Sequence, residues 1–514
     1  MRLLCFLILA FTASLKALAQ DADPHIYCDI FYETFDATCD QGGNNGGFSQ
    51  DTRGTSNFSS IIRYDNAGWS SKGTCNAGAQ CVRLGKSSIK ESSSLSFSTI
   101  AANSNTSTSF KLRFRVGFWN TSSNVPKMYA AGKRVTVDKV GQMYDMEVAL
   151  TNKSLPMSLE LSNKTSQSQS KKYSYFFLDD VCLYQDGATT EQISKAHKLI
   201  LTGTFDAEKL SALNDALKSN DNIVSIDAKT ATFPSGSIIT TGNPNCLIFA
   251  AESTNLVNAT NLVKGEACAS LVLKDGYPFC SDGDFTASQA SYSRSFAESN
   301  QWYTMCLPFG ISLSDCSGVT RLATVKDVDG DGIINYTSTS SVEANTPCLI
   351  QVADAEPVIS ATNIEVKRSS CMTDYLYGSA GTFEGCFTGI YHAVSSIASQ
   401  GIEYVYGYSN SYYTADYPYR FFRLSEGTSS RLNPFRCFLA LSKSVVNSST
   451  TSMMAVRVDG QIAAVRDLKA VDAGSVGNVY DLSGRLILKK ANAGALRTLN
   501  KGVYIWNGRK YMVK

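Results

Sequence analysis

Phe110-Lys111-Leu112-Arg113-Phe114-Arg115-Val116-Gly117-Phe118 alternates apolar with basic residues over most of its length. Successive side chains of an extended strand point to opposite faces, so this period of two predicts a strand with one buried and one wet face. Shorter runs of the same kind occur at Arg134 to Val137, Met146 to Leu150 and Met157 to Leu161, each bounded by Gly, Asn, Ser or Pro. Short antiparallel strands with frequent turns predict a β-sandwich or jelly roll over residues 25–185. The run Tyr175-Phe176-Phe177-Leu178-Asp179-Asp180-Val181 is apolar on both faces, as a central strand would be.

Beyond residue 195 the period changes. Leu210, Leu213 and Leu217 recur at helical spacing, Asp206 stands where an N-cap belongs, Glu208 suits the first turn and Asn220 the end. The helix lies between strand-like runs Leu199 to Gly203 and Ile223 to Ala228, so residues 195–255 predict a small β-α-β unit. Strand patterns resume over 256–455, at Ala269 to Leu273, Trp302 to Leu307, Leu349 to Val352 and a Tyr-rich stretch from Tyr404 to Phe422. In 456–514 an Asn507-Gly508 pair separates two apolar runs, a strong hairpin signal because both central residues of a type I′ turn need positive φ. The fold class expected is mostly β: a multidomain jelly roll or β-sandwich, one small α/β unit and a C-terminal β-sandwich.

The N-terminus carries Arg2, an apolar run from Leu3 to Phe11 and then Ala17-Leu18-Ala19, the pattern of a cleavable signal peptide over residues 1–19. That run is too short for a bilayer, and no later segment comes close to the roughly 20 apolar residues needed. A secreted or cell-surface protein without a transmembrane segment is expected, periplasmic if nothing carries it further. The formal net charge is +2 with the basic residues scattered, which implies neither nucleic acid nor an anionic membrane as partner. Of fifteen cysteines one, Cys5, falls in the apolar run. The even remainder in an exported chain is what disulfides would leave, with Cys75–Cys81 and Cys28–Cys39 close enough in sequence to staple loops; buried unpaired thiols are the alternative.

Several segments resemble known families. Glu33-Thr34-Phe35-Asp36, the loop Gly42-Gly43-Asn44-Asn45-Gly46-Gly47, Gly68-Trp69 and Phe177-Leu178-Asp179-Asp180-Val181 resemble the jelly-roll domains of exported Bacteroidetes proteins, which are similar to MAM-type and carbohydrate-binding jelly rolls. The β-α-β unit resembles a solitary leucine-rich-repeat-like element. Asn243-Pro244-Asn245-Cys246-Leu247-Ile248 and Met305-Cys306-Leu307-Pro308-Phe309 resemble repeats of Bacteroidales surface proteins that also carry leucine-rich repeats. Val479-Tyr480-Asp481-Leu482-Ser483-Gly484-Arg485 with the final Lys501 to Lys514 is similar to the C-terminal sorting domain of the type IX secretion system, with Trp506 and Arg509 departing from its commonest form. The resemblance implies an exported surface protein that meets secretion machinery through its last sixty or so residues, and glycan or host surface protein as partner.

Candidate sites follow from residue chemistry. Glu33 and Asp36 near the first strand and Asp179 and Asp180 in the last would supply hard oxygens for a structural calcium ion if those strands lie side by side. Hydrogen-bonded or ion-paired carboxylates are the other reading, because a carboxylate in an apolar strand is costly unless matched. Trp69 and Trp119, with the tyrosines Tyr404, Tyr406, Tyr408, Tyr412, Tyr413, Tyr417 and Tyr419, offer flat faces to a sugar or serve as core. Asp327-Val328-Asp329-Gly330-Asp331-Gly332 has the start of a calcium loop but Ser338 at its twelfth position, and strand-like flanks that suit a hairpin. His25, His197 and His392 belong to no catalytic motif, and no G-x-S-x-G or C-x-x-C occurs. A non-catalytic, adhesin-like binding protein is the expectation, with a structural envelope component or a glycan-active hydrolase as alternatives.

Overall fold

The computed structural model describes residues 23–40, 42–48, 62–85, 93–118, 128–136, 140–163, 176–328, 333–368, 373–377, 384–397, 403–409, 420–424, 430–442, 453–462, 466–467, 476–506 and 509–513. The signal-peptide pattern at 1–19 and Trp119 lie outside them. The chain is mostly β, in several sheets. Among the described residues no helix is long and apolar enough to cross a membrane.

The period-two stretch forms the strand Ser109–Phe118, and Phe110, Leu112, Phe114, Val116 and Phe118 are all buried. They face Leu95, Met128, Leu159 and Leu161, which belong to a second, five-stranded sheet, so residues 25–185 make a two-layer sandwich. The opening strand His25–Glu33 lies antiparallel beside the closing strand Phe176–Gln185, with Glu33 opposite Val181. Phe176–Gln185 also pairs with Ser109–Phe118, which makes it the central strand its two apolar faces require. The glycine-rich loop packs on it: a Cβ on Gly43 would lie 2.9 Å from the Phe177 ring, and φ there is +81°.

One expectation about this sandwich is corrected. The basic face of Ser109–Phe118 is not simply wet: Arg115 is only 3% exposed, and Arg113 pairs with both Glu147 and Asp227. Asp227 belongs to the β-α-β unit, while Arg115 is met by Asn44 of the glycine-rich loop and by Asp179 of the closing strand.

The opening strand pairs on its other edge with Lys198–Thr204. From there the sheet runs on through Ser225–Thr232, Leu247–Ala250 and Leu262–Lys264, all parallel, to Ala267–Lys274, Phe285–Ser293 and Ile359–Val366. Thirteen strands thus form one sheet passing from the sandwich into the segment beyond residue 256. The expected β-α-β unit is present: helix Ala207–Leu217 is capped by Asp206, whose carboxylate accepts from the Lys209 backbone N–H, and buries Leu210, Leu213 and Leu217. Each such leucine contributes roughly 2 kcal/mol by leaving water.

Parallel strands need a corner between each pair, and corner carbonyls have no ladder partner. Buried asparagines satisfy them. Asn220 donates to the carbonyls of Ile193 and Ala196, Asn243 to those of Ile223 and Pro278, Asn245 to those of Lys274 and Tyr277, and Asn261 to those of Pro244 and Val272.

A second large sheet runs from Trp302–Met305 through Cys348–Val352, Val319–Val328 and Ile334–Thr339 to Met453–Val458 and the strands around Glu403–Ser409. Val319–Val328 and Ile334–Thr339 form a hairpin, as their flanking pattern suggested; residues 329–332 of the acidic loop lie outside the described residues. The last strands, 466–513, form a separate five-stranded sheet around Val479, Leu496, Trp506 and Tyr511. In it Gly502–Trp506 pairs with Arg509–Val513, and the register Trp506 opposite Arg509 leaves the two residues 507 and 508 between them.

The two disulfide expectations are corrected as well. Cys28, Cys39 and Cys75 are unbridged thiols. Cys75 and Cys81 sit on a hairpin in which Cys81 faces Gly78, so they lie about 10 Å apart along the ladder, beyond what a disulfide spans. Cys28 belongs to the core under the helix and Cys39 to a different one beside Cys386.

Candidate functional site

The opening strand ends in Glu33-Thr34-Phe35-Asp36, and this exit builds the candidate site. Glu33 is wholly buried and collects four donors: the backbone N–H groups of Asp65 (2.8 Å) and Asn66 (3.1 Å), the Asn66 amide (3.3 Å) and the Trp69 indole (2.8 Å). Burial, then the nearby Asp65 charge, raises its carboxyl above the usual range despite those donors. Phe35 adopts a left-handed φ of +55°, rare for an aromatic residue, and is held there by complete burial between Tyr64 and Trp69. Glu33 thereby fixes the 64–66 segment against the strand exit.

Asp65 accepts from the Thr34 backbone N–H (2.7 Å) and hydroxyl (2.6 Å). His392 lies between two carboxylates, with Nδ1 3.2 Å from Asp36 and Nε2 3.7 Å from Asp65. Burial favours the neutral imidazole, but Asp36 and Asp65 outweigh it and raise His392 to about 10, so it is a cation at neutral pH. Asp65 is correspondingly held below its ordinary value: burial acts upward, and His392 and Thr34 win. Burial leaves Asp36 raised, with His392 partly offsetting it. His197 repeats the arrangement: its backbone N–H and Nδ1 meet the Asp29 carboxylate at 2.8 and 3.1 Å, and the aspartate outweighs burial to raise its pKa. With His25 on Asp186 at 3.0 Å, all three histidines of the chain are paired with aspartate.

His197, His392, Asp65, Tyr32, Tyr64 and Tyr277 line one cavity of about 760 Å³, with the Tyr32 ring packed against His197 and under the Lys198 ammonium and Tyr64 stacked on Trp69. Three parts of the chain meet there. The sandwich gives Tyr32 and residues 63–66, the coil of parallel strands gives His197, Asp221 and Asn222, and the following segment gives Tyr277, His392 and Arg431. The asparagines place parts of two of these shares: Asn220 Oδ1 accepts from the Asn222 N–H at 2.9 Å, and Asn243 and Asn245 hold the carbonyls of Pro278 and Tyr277 in the following segment. His392 is tied in through Tyr391, whose carbonyl accepts from the Phe279 N–H at 2.8 Å.

The residues singled out from sequence fall differently. Trp69 packs among Phe31, Phe35, Tyr64 and Phe97 and points its N–H at Glu33, so it is core and not an open platform. It does back Tyr64, whose ring stacks on it at 6.0 Å and 22°. Tyr406 is buried and the Tyr408 hydroxyl donates to the Trp302 carbonyl, which makes both structural. The side chains of Tyr404, Tyr412, Tyr413, Tyr417 and Tyr419 lie outside the described residues.

Of the four carboxylates, Asp36, Asp179 and Asp180 line a second, small cavity of about 50 Å³, while Glu33 is engaged elsewhere. Each of the three faces donors: His392 for Asp36, Asn44 (2.8 Å) and Arg115 (3.4 Å) for Asp179, and Arg368 (4.0 Å) for Asp180. A metal ion would have to displace those donors. Among the described residues no group of three or more His, Cys, Asp or Glu is placed to hold one.

The large cavity itself was not visible in the sequence, because Tyr32, Asp65, His197 and His392 are far apart along the chain. The one available signal was the scarcity of histidine.

No protein-family model matches the chain, and no curated protein does either. Among solved structures, the catalytic domain of Agl-KA aligns at 12% identity over 41% of this chain and 45% of that one, with a TM-score of 0.17. A cryo-EM structure of the arabinofuranosyltransferase AftD from Mycobacteria aligns at 9% identity over 95% of this chain and 40% of that one, also with a TM-score of 0.17. The chain therefore spans less than half the length of either, and at such scores neither likeness bears on fold or activity.

Proposed function

We propose that this chain is an exported binding protein of the bacterial surface or exterior, non-catalytic, which takes its ligand in the cavity where the sandwich, the coil and the following segment meet. The supporting observation is the cavity: its volume lies within the several hundred Å³ of ordinary ligand sites, and it combines aromatic rings with convergent polar groups. Glycan or a segment of a host surface protein are the partners this reading admits. The C-terminal sheet, through its resemblance to a sorting domain, would meet the secretion machinery and leave binding to the rest.

Glu33, with a raised pKa beside a lowered Asp65, has the separation of acid and base that a hydrolase uses. Its four donors and complete burial argue for a positioning role instead, and it does not line the cavity.

The test is to screen the mature chain on glycan arrays and matrix proteins, then to measure whether a hit raises the unfolding temperature of the thirteen-stranded body. A ligand that stabilises that body and is lost on Tyr277→Ala supports the cavity. Absence of any ligand, together with self-association in sedimentation, would favour the structural envelope role that so long a continuous sheet also suits.

A further inference from the structure

The formal charge of +2 averages two unequal parts of the chain. From Val476 to Lys514 there are eight Lys and Arg against one acidic residue, Asp481, so this module carries +7 and everything before it −5. Asp481 is already engaged by Arg485 at 3.0 Å. The side chains of Arg485, Lys489, Lys490, Arg497 and Lys501 are all exposed, and the module holds no second carboxylate side chain to meet them.

The same module concentrates exposed apolar surface. Of the six large apolar side chains that stand exposed among the described residues, Val476, Leu482 and Leu486 belong to it, at 59%, 57% and 47%. The strand register accounts for two of them. Val479 pairs with Trp506 and Leu488 and shares the core side of the sheet with them, whereas Tyr480 pairs with Leu486 and Ile505 and shares the opposite side. Val476, four residues before Tyr480 on the same strand, lies on that opposite side too. The helix Ala493–Leu496 packs Leu496 on the core side. The other side is an apolar face with Arg485 beside Leu486 and with Lys489 and Lys490 farther along the same strand.

We propose that this face docks on an anionic lipid bilayer, with Leu482 and Leu486 at the boundary of headgroups and acyl chains and the basic side chains on the lipid phosphates. Charge complementarity selects an anionic partner, and the apolar residues select a lipid one, because a bilayer surface rewards both at once. Nucleic acid is the poorer match. Base stacking needs exposed rings, and Trp506 and Tyr511 are both buried in the core of the sheet. The proposal is independent of the cavity: it gives the C-terminal module a partner of its own, one that would hold the binding body at a membrane surface.

The experiment sediments the full mature chain with vesicles of phosphatidylcholine alone and of phosphatidylcholine mixed equally with phosphatidylglycerol, at low and high salt, with soluble polyglutamate as a second probe. The expected result is binding to the anionic vesicles only, weakened by salt as contacts between exposed charges are. Lys489→Gln together with Lys490→Gln should weaken it by roughly twentyfold, about fivefold for each charge near the surface. Leu486→Ser should weaken it by about fivefold, the size of a partly buried leucine contact. All three positions are exposed, and unchanged hydrogen-exchange protection over residues 476–513 shows that each variant keeps the sheet. Absence of binding to anionic vesicles overturns the proposal, and retention on polyglutamate in that case points to an acidic protein partner, secretion machinery included. Vesicle binding that both variants keep in full overturns it as well, since the contact then lies elsewhere on the chain. Binding that falls with the lysines but not with Leu486→Ser overturns it in favour of a general polyanion site.

Discussion

The thirteen-stranded body and the C-terminal sheet are both β, yet they are held by different means. The body carries charge in its interior: Lys198, 3% exposed, meets Asp282 at 2.7 Å, and Asp179 meets Arg115 nearby. The C-terminal sheet is organised around one apolar centre at Trp506, whose indole N–H donates to the carbonyls of Ala491 and Gly477. Its Arg485–Asp481 pair is largely in water, and Val476, Leu482 and Leu486 stand exposed. In a long sheet assembled from distant segments, apolar alternation forbids a one-residue slip but not a two-residue one, which a matched buried charge pair would oppose. In a module closed by short hairpins the turns choose it locally.

The largest effect should be at the centre of the simpler region. Trp506→Ala removes the biggest buried ring of the C-terminal sheet, at a cost on the order of 3–5 kcal/mol, comparable with the whole stability of so small a module. Hydrogen exchange should show residues 476–513 losing protection while the body keeps its own. If protection falls across both, the two regions are one cooperative unit and the contrast fails.

Lys198→Met tests the body's side of the contrast, since it removes the ion-pair partner of the Asp282 carboxylate, which burial opposes and Lys198, with Arg368 behind it, holds well below the usual range. Breaking a buried pair on one side is expected to cost about 3 kcal/mol, and the double change Lys198→Met with Asp282→Leu should return most of it. A single variant as stable as the native chain in urea would mean that the charge is not structurally required.

Asn243→Ala leaves the carbonyls of Ile223 and Pro278 without their donor, for an expected loss of about 2 kcal/mol. Because the same side chain places Pro278 beside Tyr277, ligand affinity should fall along with stability. A stability loss with unchanged affinity would separate the coil's corners from the cavity wall.

The body should also respond to alkali. His392 titrates near 10 in the folded chain against about 6.5 unfolded. A raised folded pKa gives stability that is complete below the unfolded value and lost as pH rises through the folded one. The body's unfolding midpoint is therefore expected to decline between about pH 6.5 and 10, and His392→Gln to flatten that decline. An identical slope in the variant would assign it to other groups.

What could be read from sequence follows the same division. The strand Ser109–Phe118, the helix with its Asp206 cap and the hairpin flanking residues 507 and 508 are set by neighbours within a few residues, and period and turn chemistry disclosed them. The covering of Arg115, the continuation of the opening strand into Lys198–Thr204 and the meeting of Asp36 with His392 depend on separations of tens to hundreds of residues. Trp69 shows the limit: its type suits a ligand platform or a core equally, and its partner Glu33 decided between them.

The smallest effect sharpens the comparison most. Asp206→Ala removes one capping hydrogen bond at an exposed helix start, worth about 1 kcal/mol. Were the coil an independent unit, that loss would appear as local opening of residues 198–232, with the sandwich unaffected. Because Lys198–Thr204 shares its edge with His25–Glu33, the cap is coupled through one ladder to the sandwich core, and the loss should lower the unfolding midpoint of both together. Exchange at Leu112 and Val116 is the readout, since both are buried far from the helix in sequence. Equal acceleration there and at Leu213, under conditions where global unfolding dominates exchange, means that the sheet transmits the change. Acceleration confined to the coil would mean that a continuous strand order does not by itself make a cooperative body.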